Sequence, residues 1–345
     1  MVEYIKINIL GGSEMEIGKL PNEILEKIVL SNIKNKREEV LVKAAVGEDS
    51  AVIDFDNDLC VISTDPITGA TKDIGKLAVH ISCNDVSTSG AEPIGVMLTI
   101  LAPPKTSEED IENIMREAGE VSKEINVEII GGHTEITDAV NRIVISTTVI
   151  GKQSRKKLPN SKKIKIGDKV LITKYAGIEG TSIIAKELEE ELIHKLGKEK
   201  LEIAKNMDSM LSVVKEGIIC GDIGVRYMHD ITEGGVLGAI WEASKATGKG
   251  IKIVESLIPV KDITREITSL IDIDLYRLIS SGSMLIIAEE EKVAEINKKL
   301  NDEGIKSTVI GEVIDGGVVL ERDGKTVEID SPGSDELYKA LCLTK

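Results

Sequence analysis

The sequence predicts an α+β protein of two domains, and three observations support this. Short apolar segments typical of strands alternate with amphipathic helical segments in both halves, which argues against a helical bundle or a β-sandwich. The 345 residues are enough for two hydrophobic cores. Residues 152–165 are lysine-rich with one proline and no apolar period, which favours a solvated linker over an anion-binding patch. We therefore expect an N-terminal domain over residues 1–155 and a C-terminal domain over residues 156–345.

Hydrophobic periodicity predicts the elements of the N-terminal half. Helices are expected to begin at Pro21, at Asp73 and at Thr106, where Thr106 and Glu109 have the spacing of a capping box. Residues 94–101 are apolar throughout, as in a strand that is covered on both faces. The full set of predicted strands covers residues 1–10, 40–46, 47–54, 59–70, 94–101, 127–137 and 141–151.

The C-terminal half shows the same alternation of strands and helices. Residues 225–243 predict a strand, an acidic loop, a Gly-Gly pair and a helix in succession. Loops at strand ends are where functional residues gather. Further strands are predicted over residues 167–174, 283–288, 306–313 and 317–329, and helices over residues 182–195, 199–216 and 291–302.

The composition excludes several classes of partner. The chain has 59 acidic and 43 basic side chains and a net charge of −16, so general attraction to nucleic acid or to anionic lipid is not expected. No apolar stretch approaches the length of a membrane span. The cysteines Cys60, Cys83, Cys220 and Cys342 lie far apart without a CxxC pair. This argues against a disulfide framework or a zinc site and predicts a cytoplasmic location.

Residues 73–93 are the segment around which the chain is organised. Asp73 is a predicted N-cap and Gly90 a predicted C-terminal stop. At about 100° per residue, Asp85 falls on the apolar stripe of this helix, where a carboxylate needs a compensating partner. Either the helix frays before Asp85, or a cation or a buried donor holds the side chain. The opposite, polar face carries Lys76, His80, Cys83, Asn84 and Ser87.

Acidic residues recur at the ends of predicted strands and helices, whereas the common nucleotide motifs are absent. Gly69 is one residue too far from Gly75 for a Walker A loop, and Leu77 replaces its hydroxyl residue. Carboxylates suit Mg²⁺, which in turn lets acids approach a phosphate. For each acid the alternative is a solvated loop residue. The acids in question are Glu48, Asp49, Asp65, Asp85, Glu135, Asp230 and Glu233.

Two Gly-Gly pairs stand at the boundaries of predicted strands and helices. Gly131 and Gly132 precede His133, and Gly234 and Gly235 follow the acidic loop of the second half. Glycines at such positions let backbone amides approach a phosphate closely. An ordinary tight turn explains each pair equally well.

These motifs together resemble the aminoimidazole ribonucleotide (AIR) synthetase superfamily, and within it the hydrogenase-maturation HypE proteins. The segment GEDSAVID (47–54) is similar to the family's Gly-Asp-Asp-Ala-Ala segment, and residues 73–93 to its helix ending in Asn-Asp-Leu-x-x-x-Gly-Ala-x-Pro. GGHTEIT (131–137), GDKVLIT (167–173), HDITEGGVLGAIWE (229–242) and ISSGSMLIIA (279–288) follow in the family's order. The resemblance spans essentially the whole chain.

The resemblance implies an N-terminal domain that dimerises and forms an α/β barrel, and a C-terminal α/β sandwich that closes over ATP and Mg²⁺. The implied reaction is ATP-driven activation of a carbonyl or amide oxygen, or phosphoryl transfer, on a small or carbamoyl-type substrate. Asp49, Asp65 and Asp85 are the predicted metal ligands. Nucleotide contacts are predicted for Lys76, Asn84, Gly131, Gly132 and Thr134, and catalytic roles for His133, Glu135 and Asp230.

The sequence departs from the HypE pattern at specific positions. His133 and Glu135 replace an Asp and a Lys of the usual Gly-Gly-Asp-Thr-Lys, and Glu233 replaces an Arg. HypE proteins end in a Pro-Arg-Ile-Cys tail whose cysteine carries the carbamoyl group, whereas here Cys342 lies three residues before the last residue.

Two hypotheses follow for the function. The first is a HypE-like, ATP- and Mg²⁺-dependent enzyme with a link to hydrogenase maturation and a carbamoyltransferase partner. The second is a homodimeric scaffold or regulator that keeps the fold without catalysis. A variant of the first makes Cys342 the carbamoyl carrier.

Overall fold

The computed structural model describes residues 22–24, 26, 40–42, 45–48, 50–55, 58–68 and 72–342. The strand predicted over residues 1–10 and the predicted metal ligand Asp49 lie outside these residues. Of the helix predicted to begin at Pro21, the helical residues described are Asn22–Ile24. None of the described helices combines the length and the hydrophobicity that crossing a bilayer demands.

Within the described ranges, strands and helices alternate along the chain as predicted. The strands are β1 (Val40–Val42), β2 (Ala51–Phe55), β3 (Asp58–Ile67), β4 (Glu92–Ala102), β5 (Glu128–Ile136), β6 (Val144–Ser154), β7 (Lys169–Thr173), β8 (Tyr227–Asp230), β9 (Gly250–Val254), β10 (Met284–Ala288), β11 (Ser307–Ile314), β12 (Val318–Arg322) and β13 (Lys325–Glu328). The helices are α1 (Asn22–Ile24), α2 (Ile74–Thr88), α3 (Glu108–Glu124), α4 (Ile178–Glu187), α5 (Glu189–Leu196), α6 (Lys198–Lys205), α7 (Val214–Ile223), α8 (Gly235–Thr247), α9 (Asp262–Leu270), α10 (Glu290–Asp302) and α11 (Glu336–Leu341).

The N-terminal strands form one six-stranded sheet in the order β1-β2-β3-β6-β4-β5. Neighbouring strands are antiparallel except β4 and β5, which are parallel. Alternate residues of β4, such as Val96, Leu98 and Ile100, are buried in the core that α2 and α3 cover. The opposite face of β4 exposes Ile94 and Met97, so among the described residues this part of the sheet presents apolar side chains that no other element covers.

The C-terminal strands form a seven-stranded mixed sheet in the order β13-β12-β9-β11-β7-β10-β8. Val170 and Ile172 of β7 belong to one hydrophobic cluster, and Leu171 between them belongs to another. Since successive side chains of a strand point to opposite faces, both faces of this sheet are buried. This arrangement confirms the predicted α+β fold with a C-terminal α/β sandwich.

Helix α2 is buried on nearly all sides and lies at the interface between the two domains. Every residue of α2 except Lys76 is buried, since the N-terminal sheet covers one side and α7 crosses the other. Gly217 of α7 makes the crossing possible: a Cβ there would lie 2.2 Å from the Ser87 carbonyl oxygen. The face predicted to be polar is therefore an interface between domains and not a solvated surface.

Some predicted elements differ in detail from the structure. The capping box of α3 is formed by Ser107 and Asp110, one residue after the predicted pair. The single strand predicted over residues 317–329 is the hairpin of β12 and β13. Its turn contains Asp323 and Gly324 with φ angles of 51° and 72°, a conformation that Asp-Gly pairs favour.

Candidate functional site

A cleft of about 500 Å³ lies between the two domains. Its N-terminal wall comes from the loop before β2, the end of β3 and one side of α2. Its C-terminal wall comes from α4, the loop after β8, α8 and the segment around α11. The described acidic residues that line it are Glu48, Asp65, Asp85, Glu179, Asp230, Glu233, Glu242 and Asp335.

The N-terminal wall holds two of the predicted metal ligands. Ser63 and Asp65 are two residues apart on β3 and therefore share one face of the strand. The Ser63 hydroxyl donates a 2.6 Å hydrogen bond to Oδ2 of Asp85, which is buried on α2. Of the alternatives left open for Asp85, a buried donor is the one observed, and α2 continues to Thr88 without fraying. Asp65 and Asp85 thus face one cleft.

The predicted catalytic residue Asp230 faces the same cleft from the opposite wall. It is the last residue of β8 and is buried. Preceding it, His229 places Nε2 3.1 Å from Oε2 of Glu242 on α8. Both of these side chains are buried and line the cleft. The loop that follows β8 then brings Glu233 to the cleft as well.

A second acidic group lies around the start of α4. Glu179 is only 3% exposed, and burial raises the pKa of its carboxyl group to about 7. An interaction with Ser281 partly offsets this rise, while the charges of Asp335 and Glu233 add to it. Among the described residues, no group completes a hydrogen bond to Glu179 Oε2 or to the Ser281 hydroxyl. Both residues line the cleft.

Asp335 ties the C-terminal segment to this wall. Its carboxylate accepts hydrogen bonds from the backbone N–H groups of Gly234, Ile279 and Leu337, at 2.7, 3.2 and 2.8 Å. Burial nevertheless raises the pKa of Asp335 to about 6, because desolvation outweighs these donors. The interpretation of Gly234 as a phosphate-binding amide therefore needs correction: that amide is taken by Asp335.

The structure does not bring Asn84 or Lys76 to the cleft. Asn84 is completely buried, and its side-chain amide donates to Leu211 O and accepts from Val213 N, both at 2.8 Å. Lys76 pairs with Asp208 at 2.9 Å. Both side chains thus join α2 to the chain before α7. The nucleotide contacts predicted for Lys76 and Asn84 are therefore not supported by the observed partners of these two side chains.

The predicted residues of β5 also lie away from the cleft. They are on the edge strand of the N-terminal sheet, where His133 and Glu135 are 68% and 54% exposed and 3.5 Å apart. The packing of β5 against β4 explains why position 132 is a glycine. Its φ angle is 150°, and a Cβ there would lie 2.0 Å from the Leu98 carbonyl oxygen of β4. Within the described chain, Gly131, Gly132, His133, Thr134 and Glu135 therefore do not join Asp65, Asp85 and Asp230.

Sequence reasoning missed several residues of the C-terminal wall. His229 immediately precedes Asp230, and this adjacency was an available indication of its position. Glu179 follows Gly177, whose φ of 72° places the start of α4 at the cleft, but its neighbour Ser281 lies more than a hundred residues away. As the N-cap of α11, Asp335 has one local signal, the hydrogen bond from Leu337 N–H, but its position at the cleft depends on Gly234 and Ile279, which are distant in sequence.

The fold and the cleft agree with the comparisons to known proteins. The chain belongs to the AIR synthase related protein family. Residues 47–153 match the model of the family's N-terminal domain, and residues 165–322 match that of its C-terminal domain. The predicted resemblance to this family is confirmed.

Two homologous proteins align with most of this chain. A protein of Methanocaldococcus jannaschii, provisionally named a hydrogenase expression/formation protein, is 27% identical over 336 residues, which cover 93% of this chain and 96% of the relative. The carbamoyl dehydratase HypE of Bradyrhizobium diazoefficiens is 26% identical over 259 residues, or 73% of each chain.

Solved structures share the fold. The crystal structure of a HypE protein in complex with ATP has a TM-score of 0.70 at 21% identity and covers 94% of this chain and 98% of that chain. A HypE–HypF complex contains a chain with a TM-score of 0.69 at 24% identity, covering 90% of this chain and 99% of that chain. At these identities the likeness concerns the fold.

Proposed function

We propose that this protein is a HypE-like enzyme that uses ATP and Mg²⁺ to activate a carbonyl or amide oxygen, or to transfer a phosphoryl group. The observation that carries the proposal is the meeting of Asp65, Asp85 and Asp230 in one interdomain cleft. These residues come from three separate elements. Solvated loop acids would not be expected to converge in this way.

The donors of the N-terminal wall fit a magnesium ion. Mg²⁺ is held in such sites by one or two carboxylates, with waters and phosphate oxygens completing its shell. Asp65 and Asp85 supply carboxylates, and the Ser63 hydroxyl orients Asp85. A bound Mg²⁺ would neutralise phosphate charge in an otherwise acidic cleft. Among the described residues there is no group of three acids, histidines or cysteines suited to a metal, so a Mg²⁺ ion held by Asp65 and Asp85 would need waters and phosphate oxygens as its further ligands.

The chemistry needs positioning and electrostatics more than a protein nucleophile. Transfer of the γ-phosphoryl group from ATP to an amide oxygen breaks the bond to ADP and makes that oxygen a leaving group. Its loss as phosphate, together with loss of the two amide N–H protons, completes a dehydration to a nitrile. In this proposal Asp230, opposite the metal ligands, accepts one of these protons. The names of the carbamoyl dehydratase relatives support a carbamoyl-type substrate and a link to hydrogenase maturation. The HypE–HypF complex supports a carbamoyltransferase partner.

A homodimer is part of the proposal. Within the described part of the chain, the N-terminal sheet exposes Ile94, Met97 and Ile130, and β5 is the edge strand of that sheet. An apolar face next to an open edge favours pairing with another chain. A second copy on this face would give His133, Thr134 and Glu135 a route to the nucleotide.

Calorimetric titration of ATP with and without Mg²⁺ tests the proposal, on the wild type and on Asp85→Asn. We expect binding that requires Mg²⁺ and that weakens at least tenfold in the variant, about 1.4 kcal/mol. Glu117→Gln, which removes a carboxylate outside the cleft, serves as the matched control and should bind as the wild type does. Absence of ATP binding by the wild type would refute the enzyme proposal and favour the scaffold hypothesis.

A further inference from the structure

The C-terminal wall of the cleft contains acids that the nucleotide does not explain. Glu179, Glu233 and Asp335 lie on the side opposite Asp65 and Asp85. An ATP phosphate would be repelled here, because the described lining residues include no lysine, and Arg142 and His229 are their only basic members. Without a metal ion between them and a phosphate, these acids suit a cationic group better than an anionic one.

Glu179 is the residue that indicates a ligand. Its carboxyl group is almost completely buried, and its Oε2 has no hydrogen-bond partner among the described residues. A buried acceptor without a donor costs stability, and residues that cost stability concentrate at functional sites. The neighbouring Ser281 interacts with Glu179 through its hydroxyl and its backbone N–H, but the buried hydroxyl completes no hydrogen bond by distance and angle. The Glu179 carboxyl group and the Ser281 hydroxyl oxygen can each accept a further hydrogen bond, so together they suit a ligand with at least two donors.

We infer that Glu179 and Ser281 form a recognition site for a small organic cation with two or more N–H donors, such as an amidinium or guanidinium group of the acceptor substrate. This inference rests on the proposed function, since it assigns the substrate side of the same cleft. Planar N–H donors match a carboxylate in a bidentate manner. Glu233 and Asp335 add negative potential around the site without having to touch the ligand.

An organic cation fits this wall better than a second metal ion. A metal requires several donors around one point, and no such group of three occurs among the described histidines, cysteines and acids. Two of the acids are also committed elsewhere: the Glu233 carboxylate accepts from the Tyr338 hydroxyl at 3.0 Å, and Asp335 accepts from three backbone amides. Glu179 and Ser281 are left to contact the ligand.

The probe is methylguanidinium chloride, compared with N-methylurea, a neutral molecule of nearly the same shape. Binding is measured by ligand-observed NMR at pH 8, above the pKa of about 7 of Glu179, at constant ionic strength and without Mg²⁺. We expect the cation to bind the wild type at least tenfold more tightly than the urea. Glu179→Gln should weaken the cation at least tenfold, and Ser281→Ala about two- to fivefold.

Glu48→Gln is the matched control, because it removes one negative charge from the same cleft at an exposed position. It should weaken the cation less than twofold. Equal losses in Glu48→Gln and Glu179→Gln would show that general acidity attracts the cation and would overturn the site. Equal binding of N-methylurea and methylguanidinium would also overturn it. Thermal unfolding of each variant confirms that it is folded.

The two proposals fail separately. A wild type that binds ATP with Mg²⁺ but not methylguanidinium refutes only the cation site, and a buried water then accounts for Glu179. A wild type that binds neither nucleotide nor cation refutes both. Glu179→Gln should bind ATP with Mg²⁺ as tightly as the wild type, because Glu179 lies on the other wall. A matching loss of ATP affinity would place Glu179 in the nucleotide site and contradict the assignment made here.

Discussion

Asn84 and Asp85 are neighbours on α2 and are both buried, but their side chains have different roles. The Asn84 amide is saturated by the backbone of Leu211 and Val213, so it fastens one domain to the other. Asp85 accepts from Ser63 and faces the cleft. One helix therefore carries a structural face and a functional face about 100° apart. Polarity alone does not tell these two faces apart, and burial does not either.

The largest expected effect is on the structural face. Asn84→Ala leaves the Leu211 carbonyl and the Val213 N–H buried without partners, which should lower the free energy of unfolding by about 2–4 kcal/mol. Urea denaturation measures this change. Asp85→Asn keeps the shape and an acceptor for Ser63, so its stability should change by less than about 1 kcal/mol. A reversal of the two effects would show that the roles assigned to these neighbours are exchanged.

The position of Asp85 at a functional cleft could be expected from the sequence, because a carboxylate on an apolar helical stripe needs a partner. Asp65 and Asp230 could be expected there because Asp65 lies close to the end of β3 and Asp230 ends β8, and functional residues gather at strand ends. The alternation of strands and helices predicted the fold because periodicity is local. The contacts of Asn84 could not be predicted, because its partners Leu211 and Val213 are distant in sequence.

Glu179 and Asp335 of the C-terminal wall were missed for the same physical reason. The environment of Glu179 is set by Ser281 and Asp335, which only tertiary packing brings close to it. No pattern within α4 distinguishes Glu179 from the surface acids of this acidic chain. The capping box of α3 was predicted one residue too early, because adjacent Ser, Thr, Asp and Glu side chains compete for the same cap. The hairpin of β12 and β13 was predicted as one strand.

The second prediction extends the comparison to the two carboxyl groups whose pKa is raised. The pKa of Glu179 is about 7 in the folded protein against an ordinary 4.5, so the folded state holds a proton that the unfolded state loses. Stability should therefore fall as the pH rises from about 4.5 to 7. Glu179→Gln removes this loss and should stabilise the protein at pH 8 by up to about 3 kcal/mol, with little effect near pH 4.

Asp335 provides the contrast, measured by the same urea denaturation at pH 4 and pH 8. Burial raises its pKa as well, but its carboxylate accepts from three backbone amides. Asp335→Asn replaces one acceptor oxygen by a donor and should destabilise the protein by about 1–2 kcal/mol at pH 4. The destabilisation should be smaller at pH 8, because the raised pKa of Asp335 lowers the stability of the wild type as the pH rises from about 3.8 to 6. If both variants stabilised the protein at pH 8, Asp335 would be a strained binding group like Glu179 and not an anchor of α11.

The smallest expected effect on stability is at His133. Its effect on ATP binding tests whether this residue belongs to the nucleotide site of a dimer. The side chain is exposed, and its contact with Glu135 is a surface pair, so His133→Ala should change the free energy of unfolding by less than about 0.5 kcal/mol. In a dimer built on the face of Ile130, however, His133 would approach the nucleotide of one of the copies. The variant should then lower ATP affinity severalfold under conditions where sedimentation shows a dimer. In an Ile130→Asp background, which disrupts that face, the same substitution should change nothing. An unchanged ATP affinity in the dimer would remove His133 from the site and leave catalysis to the residues of the interdomain cleft.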